Sequence, residues 1–247
     1  MKIRLSGAIL LLAASASGAA ESSRWLFDAG YTRDRITNSR GEEYGTHAQI
    51  AHRLDSENVF WMRHEEQKRY GTFDQTLQAG GLYRARPDLL LLLSGGFTPQ
   101  PDFRPKRQAS AGAEYAFPRI LTVLLDTRYL RYGSHAALQW VPGLRVEPAS
   151  WAKVVYRYTV SDYAGRSTAK MFTLRLDLFE EETLSPYIGY THGREDLPPE
   201  PSAKLTVYTG GCRWNVNPTL SVRADISYET RERYERYSQG LGLSVNF

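Results

Sequence analysis

The chain is poor in most of the features that would announce a soluble enzyme or a helical membrane protein. A single cysteine, Cys212, in 247 residues excludes a disulfide framework. Beyond the first twenty or so residues no window approaches the roughly eighteen apolar residues a membrane-spanning helix needs. The five histidines, His47, His52, His64, His135 and His192, are dispersed and show no metal-ligand spacing such as two histidines four apart. No serine can be matched to a histidine and a third orienting group, as nucleophilic catalysis requires. No glycine-rich stretch follows a strand and opens a helix, which excludes a phosphate cradle of that type. Neither sign of charge dominates. With 31 basic and 27 acidic residues, a net charge of +4 and a pI near 9.1, charge is scattered and no basic block stands alone. These absences leave no candidate catalytic residue, no metal site, no cofactor and no nucleic-acid partner.

Residues 1–20 read as a targeting segment. Lys2 and Arg4 form the charged beginning, residues 8–14 with Leu10, Leu11 and Leu12 the apolar core, and Ser17, Gly18, Ala19 and Ala20 the small-residue cleavage site. No cysteine lies near that site, so the segment is not of the lipoprotein kind. The expectation is an exported chain beginning near Glu21, with residues 21–247 forming one domain and Cys212 unpaired in an oxidising compartment.

What the chain does have is aromatic residues and two-residue periodicity. It carries 16 Tyr, 9 Phe and 5 Trp at a mean hydropathy of −0.46, which is what a sheet gives when only alternate residues face lipid. The clearest stretch is 237–247, YSQGLGLSVNF. Tyr237, Leu241, Leu243, Val245 and Phe247 share one parity; Gly240, Gly242, Ser244 and Asn246 share the other. This ending resembles the C-terminal signature of Gram-negative outer-membrane proteins.

The same alternation recurs upstream. Trp25, Phe27, Ala29 and Tyr31 oppose Asp28 and Gly30, and Ala48 and Ile50 oppose His47 and Gln49. Ala111, Ala113 and Tyr115 oppose Gly112 and Glu114; Val123, Leu125 and Tyr129 oppose Asp126 and Arg128. Leu144 and Val146 oppose Arg145, and Tyr156 and Tyr158 oppose Arg157. Leu174 and Leu176 oppose Arg175 and Asp177; Val222 and Ala224 oppose Arg223 and Asp225. Leu174 and Val222 are expected at mid-strand, facing lipid. The run 89–93 is apolar throughout but is cut short by Gly95, Gly96 and Pro99, so it reads as a strand. Leu205, Val207 and Thr209 read as the oily side of a strand on which Trp214 falls off parity, suggesting a bulge.

Turns alternate in kind. Those near Ser56, Pro87, Pro118, Pro148, Glu181 and Asn217 are short, and those near Ser39, Gly71, Pro101, Ser134, Gly165, Pro199 and Arg233 are longer or more polar. Gly41, Gly71, Gly133 and Gly165 read as turn glycines. The implied fold is all-β: a single antiparallel transmembrane β-barrel of about fourteen strands, in a range of roughly 12–16, with both termini on the short-turn side. A soluble sandwich also alternates. It would have to bury the charged face or place its tryptophans and tyrosines at a core centre, whereas here they collect toward strand ends as interfacial residues do.

The opening strand RWLFDAGYTRD, the proline-centred short turns and the closing LGLSVNF resemble the YaiO-type outer-membrane barrel proteins. That resemblance implies fold and location and carries over no catalytic residue. The charged face then lines a lumen, with Asp28, His47, Gln49, Glu114, Asp126, Arg128, Arg145, Arg157, Arg175, Asp177, Arg223 and Asp225 as the lining candidates. Arg145 with Glu147, Arg175 with Asp177 and Arg223 with Asp225 are same-face neighbours positioned for ion pairs. The expected role is a non-enzymatic narrow channel or export pore. The alternatives are a closed structural barrel acting through loops 99–105 and 192–202, or a lipid-modifying barrel enzyme. Expected partners are outer-membrane lipids, the barrel-assembly machinery, and a small solute or polysaccharide.

Overall fold

The computed structural model describes residues 24–37, 43–55, 57–69, 71–118, 120–133, 135–163, 168–179, 183–195 and 203–247. The targeting segment 1–20, Gly41 and Gly165 lie outside them, as do loop residues 196–202. Fourteen strands account for nearly all of the described chain. In order they are β1 (Trp25–Ile36), β2 (Glu43–Arg53), β3 (Val59–Arg69), β4 (Thr72–Arg86), β5 (Leu89–Phe97), β6 (Arg107–Phe117) and β7 (Leu121–Tyr132). The second half follows as β8 (His135–Ala149), β9 (Ala152–Tyr163), β10 (Ala169–Leu178), β11 (Leu184–Glu195), β12 (Ala203–Asn217), β13 (Leu220–Arg231) and β14 (Glu235–Asn246). Each strand pairs antiparallel with its sequence neighbours, and β14 returns to β1, so the sheet is a closed barrel without a free edge.

The seam shows how the closing strand works. Leu241 stands opposite Tyr31, Leu243 opposite Ala29, and Ser244 opposite Asp28, so the two faces of β1 and β14 coincide in sign. Phe247 extends the ladder by exchanging two backbone hydrogen bonds with Trp25, each 3.0 Å. Within a ladder, a slip of one residue would turn every side chain to the wrong face, so the oily parity itself holds the register.

The outward face carries an apolar band between two aromatic rows. Leu93, Ile188, Ile226 and Leu241 are among the most exposed large hydrophobics of the molecule. Tyr31, Tyr44 and Phe73 follow one another at the end away from the termini, with ring centroids 6.3 and 5.6 Å apart. Tyr190 and Tyr208 at 5.3 Å, and Tyr228 and Tyr237 at 4.8 Å, continue that row. At the terminal end stand Trp25 stacked on His52, Tyr115 against Phe117, and Trp151 against Phe179. Rings with a polar edge suit a headgroup layer at each side of hydrocarbon.

Several expectations from the sequence need correction. In β12 the oily face was assigned to Leu205, Val207 and Thr209, but Leu205 is 4% exposed and points inward, while Tyr208 and Trp214 are 53% and 51% exposed. No bulge separates them, because pairing with β11 runs unbroken from Ala203 to Trp214; the shift in β12 comes later, between Asn215 and Asn217. Val207 and Leu205 mislead because a lumen roofed by other side chains accepts apolar residues. Val222 is not at mid-strand: it stands two residues into β13, opposite Trp214 of the aromatic rim. β11 continues through His192 to Glu195, which shortens the loop expected to begin at His192.

Links on the terminal side are uniformly short. The turn after β2 is closed by Asp55, whose carboxylate accepts from Asn58 Nδ2 at 2.6 Å and from the amides of Glu57 and Asn58 at 2.8 Å each. The Asn58 side-chain bond, with those two amides, holds the Asp55 carboxyl below its ordinary range. The longer link 98–106 is on the opposite side, but β3 and β4 are joined there by a tight turn at Gly71, φ +82°. Gly133 between β7 and β8 is likewise left-handed, at φ +44°.

Replacing Leu174, in the middle of β10, by Arg is expected to cost about 2–4 kcal/mol in reversible unfolding from lipid or detergent, with Val222→Arg costing less because arginine can reach the rim. Arg175→Leu, on the opposite face of the same strand, should leave insertion intact. Equal losses from Leu174→Arg and Arg175→Leu would contradict the assignment of faces.

Candidate functional site: the charged lumen

The inward positions of all fourteen strands converge on one interior, and every lining candidate named from the sequence stands on that face. Near the seam, His47 Nε2 lies 2.7 Å from Asp28 Oδ1, and Ser244 donates to Asp28 Oδ2 at 2.6 Å. Both groups donate to the carboxylate, so the His47 imidazole is bonded to Asp28 and not to the Ser244 hydroxyl, unlike the order of a Ser–His–Asp triad. Gln49 is opposite Asp28 on one side and Arg63 on the other. Further round, Arg145 bridges Glu114 at 2.9 Å and Glu147 at 3.6 Å, and Arg157 pairs with Asp126. Arg128 lies opposite Ser110 and Gln139 and has no ion-pair partner among the described residues. Arg175 pairs with Asp177 at 2.6 Å and Arg223 with Asp225 at 2.9 Å. All three same-face pairs read from the sequence are thus made.

Large lumen side chains fit only where the opposing strand has none. Trp61 lies across Gly80, where a Cβ would come within 2.5 Å of its Cζ2. Gly211 similarly faces Tyr187 and Asp225, at 2.6 and 2.7 Å from a Cβ built there. Interior width is set by this complementarity of bare and bulky positions.

The part that sequence parity missed is at the end away from the termini. Loop 98–106 folds into the barrel instead of projecting from it. Its prolines, Pro99, Pro101 and Pro105, have no N–H to satisfy, and the intervening amides of Asp102, Phe103 and Arg104 all donate to Asp74, at 2.8, 3.0 and 2.7 Å. Asp74 is inward-facing on β4 and 0% exposed. A buried carboxylate is tolerated because successive amide dipoles replace its water. Arg104 then crosses to Glu65 at 2.5 Å, Thr76 at 3.1 Å and Gln67 at 3.1 Å, while the Thr76 and Thr98 hydroxyls meet at 2.9 Å. Beside the loop runs a chain of ion pairs. Glu43 bonds Arg69 at 3.3 Å and lies 3.8 Å from Arg236; Arg236 reaches Glu229 at 3.6 Å; Arg231 joins Glu229 and Glu195. The strand residues here, Glu43, Arg69, Asp74, Glu229 and Arg236, lie near the strand ends, and none was among the lining candidates named from the sequence. Only the prolines of 98–106 signalled that its amides were available for capture.

At the terminal mouth the lumen opens into a pocket of about 300 Å³ lined by Arg175, Asp177, Tyr187, Arg213, Arg223 and Asp225. Tyr187 donates to Asp225 at 2.5 Å, and the Arg175 guanidinium lies 3.9 Å over the Tyr187 ring. Arg213 escaped sequence reasoning because the faces of β12 had been exchanged. No group of three or more metal-ligating side chains occurs among the described residues.

A closed antiparallel barrel of this kind, oily outside and charged within, is the fold of bacterial outer-membrane proteins. Comparison of structures agrees. The chain is similar to a bacterial polysaccharide outer membrane secretin, at 9% identity and a TM-score of 0.59, over 92% of this chain and 100% of that one. It is similar to the Ralstonia pickettii toluene transporter TbuX, at 9% identity and 0.61, over 93% and 90%. It is also similar to the Acinetobacter baumannii outer membrane protein Omp33, at 10% identity and 0.56, over 92% and 100%. At these identities the likeness is one of fold. No family model and no curated protein matches the sequence.

Asp74→Ala is expected to free loop 98–106 without opening the barrel. Hydrogen exchange at the amides of Asp102, Phe103 and Arg104 should accelerate about tenfold or more, since bonds to a charged acceptor contribute about 1.5–3 kcal/mol each. Unchanged exchange at those three amides would show that Asp74 does not hold the loop.

Proposed function

We propose that this protein is a non-enzymatic outer-membrane barrel of a Gram-negative bacterium, exported by its segment 1–20, in which the charged lumen is a narrow conduit for a polar solute. The observation that carries this reading is the charged interior itself. A barrel needing only to fill its inside would do so more cheaply with apolar side chains, because each buried ion must be desolvated and matched. Fourteen strands also enclose more width than side chains alone fill in the smallest barrels. The terminal mouth opens into the pocket described, and the far end is narrowed by the inward loop 98–106. Under this reading the partners are the surrounding lipids, the barrel-assembly machinery that inserts the chain, and a small solute or polysaccharide segment. The YaiO-type barrels, whose opening and closing strands this chain resembles, are the proposed family.

The latch of 98–106 on Asp74 favours one second reading, a barrel that is closed and acts as a structural element. Planar-bilayer recording separates the two. Steady ohmic steps from the purified protein, enlarged on deletion of 99–105, are expected of the conduit. Absence of steps from both the intact and the loop-deleted protein would overturn it in favour of the closed barrel, and hydrolysis or acyl transfer on lipid substrates would overturn it in favour of an enzyme.

A further inference from the structure

The pocket at the terminal mouth contains an arrangement that a purely structural network would avoid. Arg213 and Arg223 are direct cross-strand partners on the inward face of β12 and β13. Directly opposed like charges destabilise a sheet pair, with Cβ atoms only about 5 Å apart. Arg223 is neutralised by Asp225 at 2.9 Å, and Arg175, across the pocket, by Asp177 at 2.6 Å. Asp225 is further occupied by the Tyr187 hydroxyl at 2.5 Å. Arg213 has no carboxylate within ion-pair distance among the described residues and no other side-chain partner. Three arginines therefore face two aspartates around a cavity of about 300 Å³. The uncompensated charge is on Arg213, whose backbone pairs directly with that of Arg223.

We infer that this pocket is an oxyanion-binding subsite, in which a carboxylate or phosphate group of a solute lodges between Arg213 and Arg223 with Arg175 at its edge. Planar guanidinium forks match two oxygens of such a group at once, and a bound anion turns the repulsive Arg213–Arg223 pair into a clamp. Tyr187, held by Asp225 and covered by Arg175, forms one wall of the pocket. The subsite deepens the conduit reading, which it rests on for its role in passage: an acidic solute would be gathered at the terminal mouth before or after crossing the lumen.

Equilibrium binding of inorganic phosphate and of gluconate to the purified full-length barrel in detergent tests this directly. Binding at millimolar concentration is expected for at least one probe, weakened about tenfold or more in both Arg213→Gln and Arg223→Gln. Arg131→Gln, which removes an exposed, outward-facing arginine near the opposite end of the barrel, should bind as the unaltered protein does. Phosphate alone binding assigns a phosphoryl group, gluconate alone a carboxylate, and both an oxyanion of either source. Binding of neither probe at about 10 mM, or equal loss in Arg131→Gln and Arg213→Gln, overturns the subsite. Heat-modifiable migration on gels confirms that each variant is folded. A barrel that conducts but binds neither probe refutes the subsite and leaves the conduit standing, whereas one that binds but never conducts refutes only the conduit.

Discussion

Hydrocarbon offers no partner to a backbone N–H or C=O, and this shapes the whole molecule. A strand pair in a bilayer must be paired on both edges, so a sheet in that setting survives only if its last strand finds its first. The pairing of β14 with β1, carried to the Trp25–Phe247 exchange, meets that requirement. Once closure is imposed, side-chain parity has a single consistent solution. Alternate residues meet lipid, where leucine, isoleucine and the aromatic rows are stable, and the others meet an interior in which charge must be balanced locally.

The interior is accordingly an electrostatic structure. Where water is scarce an unpaired charge is costly, and arginines there are mostly set beside aspartate or glutamate two residues away on the same face. The arrangement differs along the axis. At the end away from the termini the pairs interlock with a folded-in loop whose amides close around Asp74. Toward the terminal mouth Arg213 has no carboxylate partner among the described residues, and there the lumen widens into a pocket. Under the proposed conduit reading, the collar would restrict passage at one end and the basic vestibule would gather solute at the other.

Much of this was legible in the sequence because strand parity is a local property. Strand number, closure, the outward row from Trp25 to Tyr31 and the pairs Arg145–Glu147, Arg175–Asp177 and Arg223–Asp225 all follow from spacing of two. Parity fails where both faces carry apolar residues. Leu205 and Val207 look oily but line a roofed interior, and that single inversion hid Arg213 and turned Trp214 into an apparent bulge. Loop 98–106 was legible only as proline-rich. Its inward path depends on Asp74, 24 or more residues away in sequence and silent until the barrel is closed. Contacts made through closure have no local signature.

Nitroxide scanning along β10 tests the central claim most directly. In a Cys212→Ser background, labels placed singly at 172–177 in lipid bilayers should alternate. Positions 172, 174 and 176 should be relaxed preferentially by oxygen dissolved in the bilayer, and 173, 175 and 177 by a water-soluble nickel complex. Reversed phase, or no alternation across those six positions, would contradict a cylinder with hydrocarbon outside and charge within.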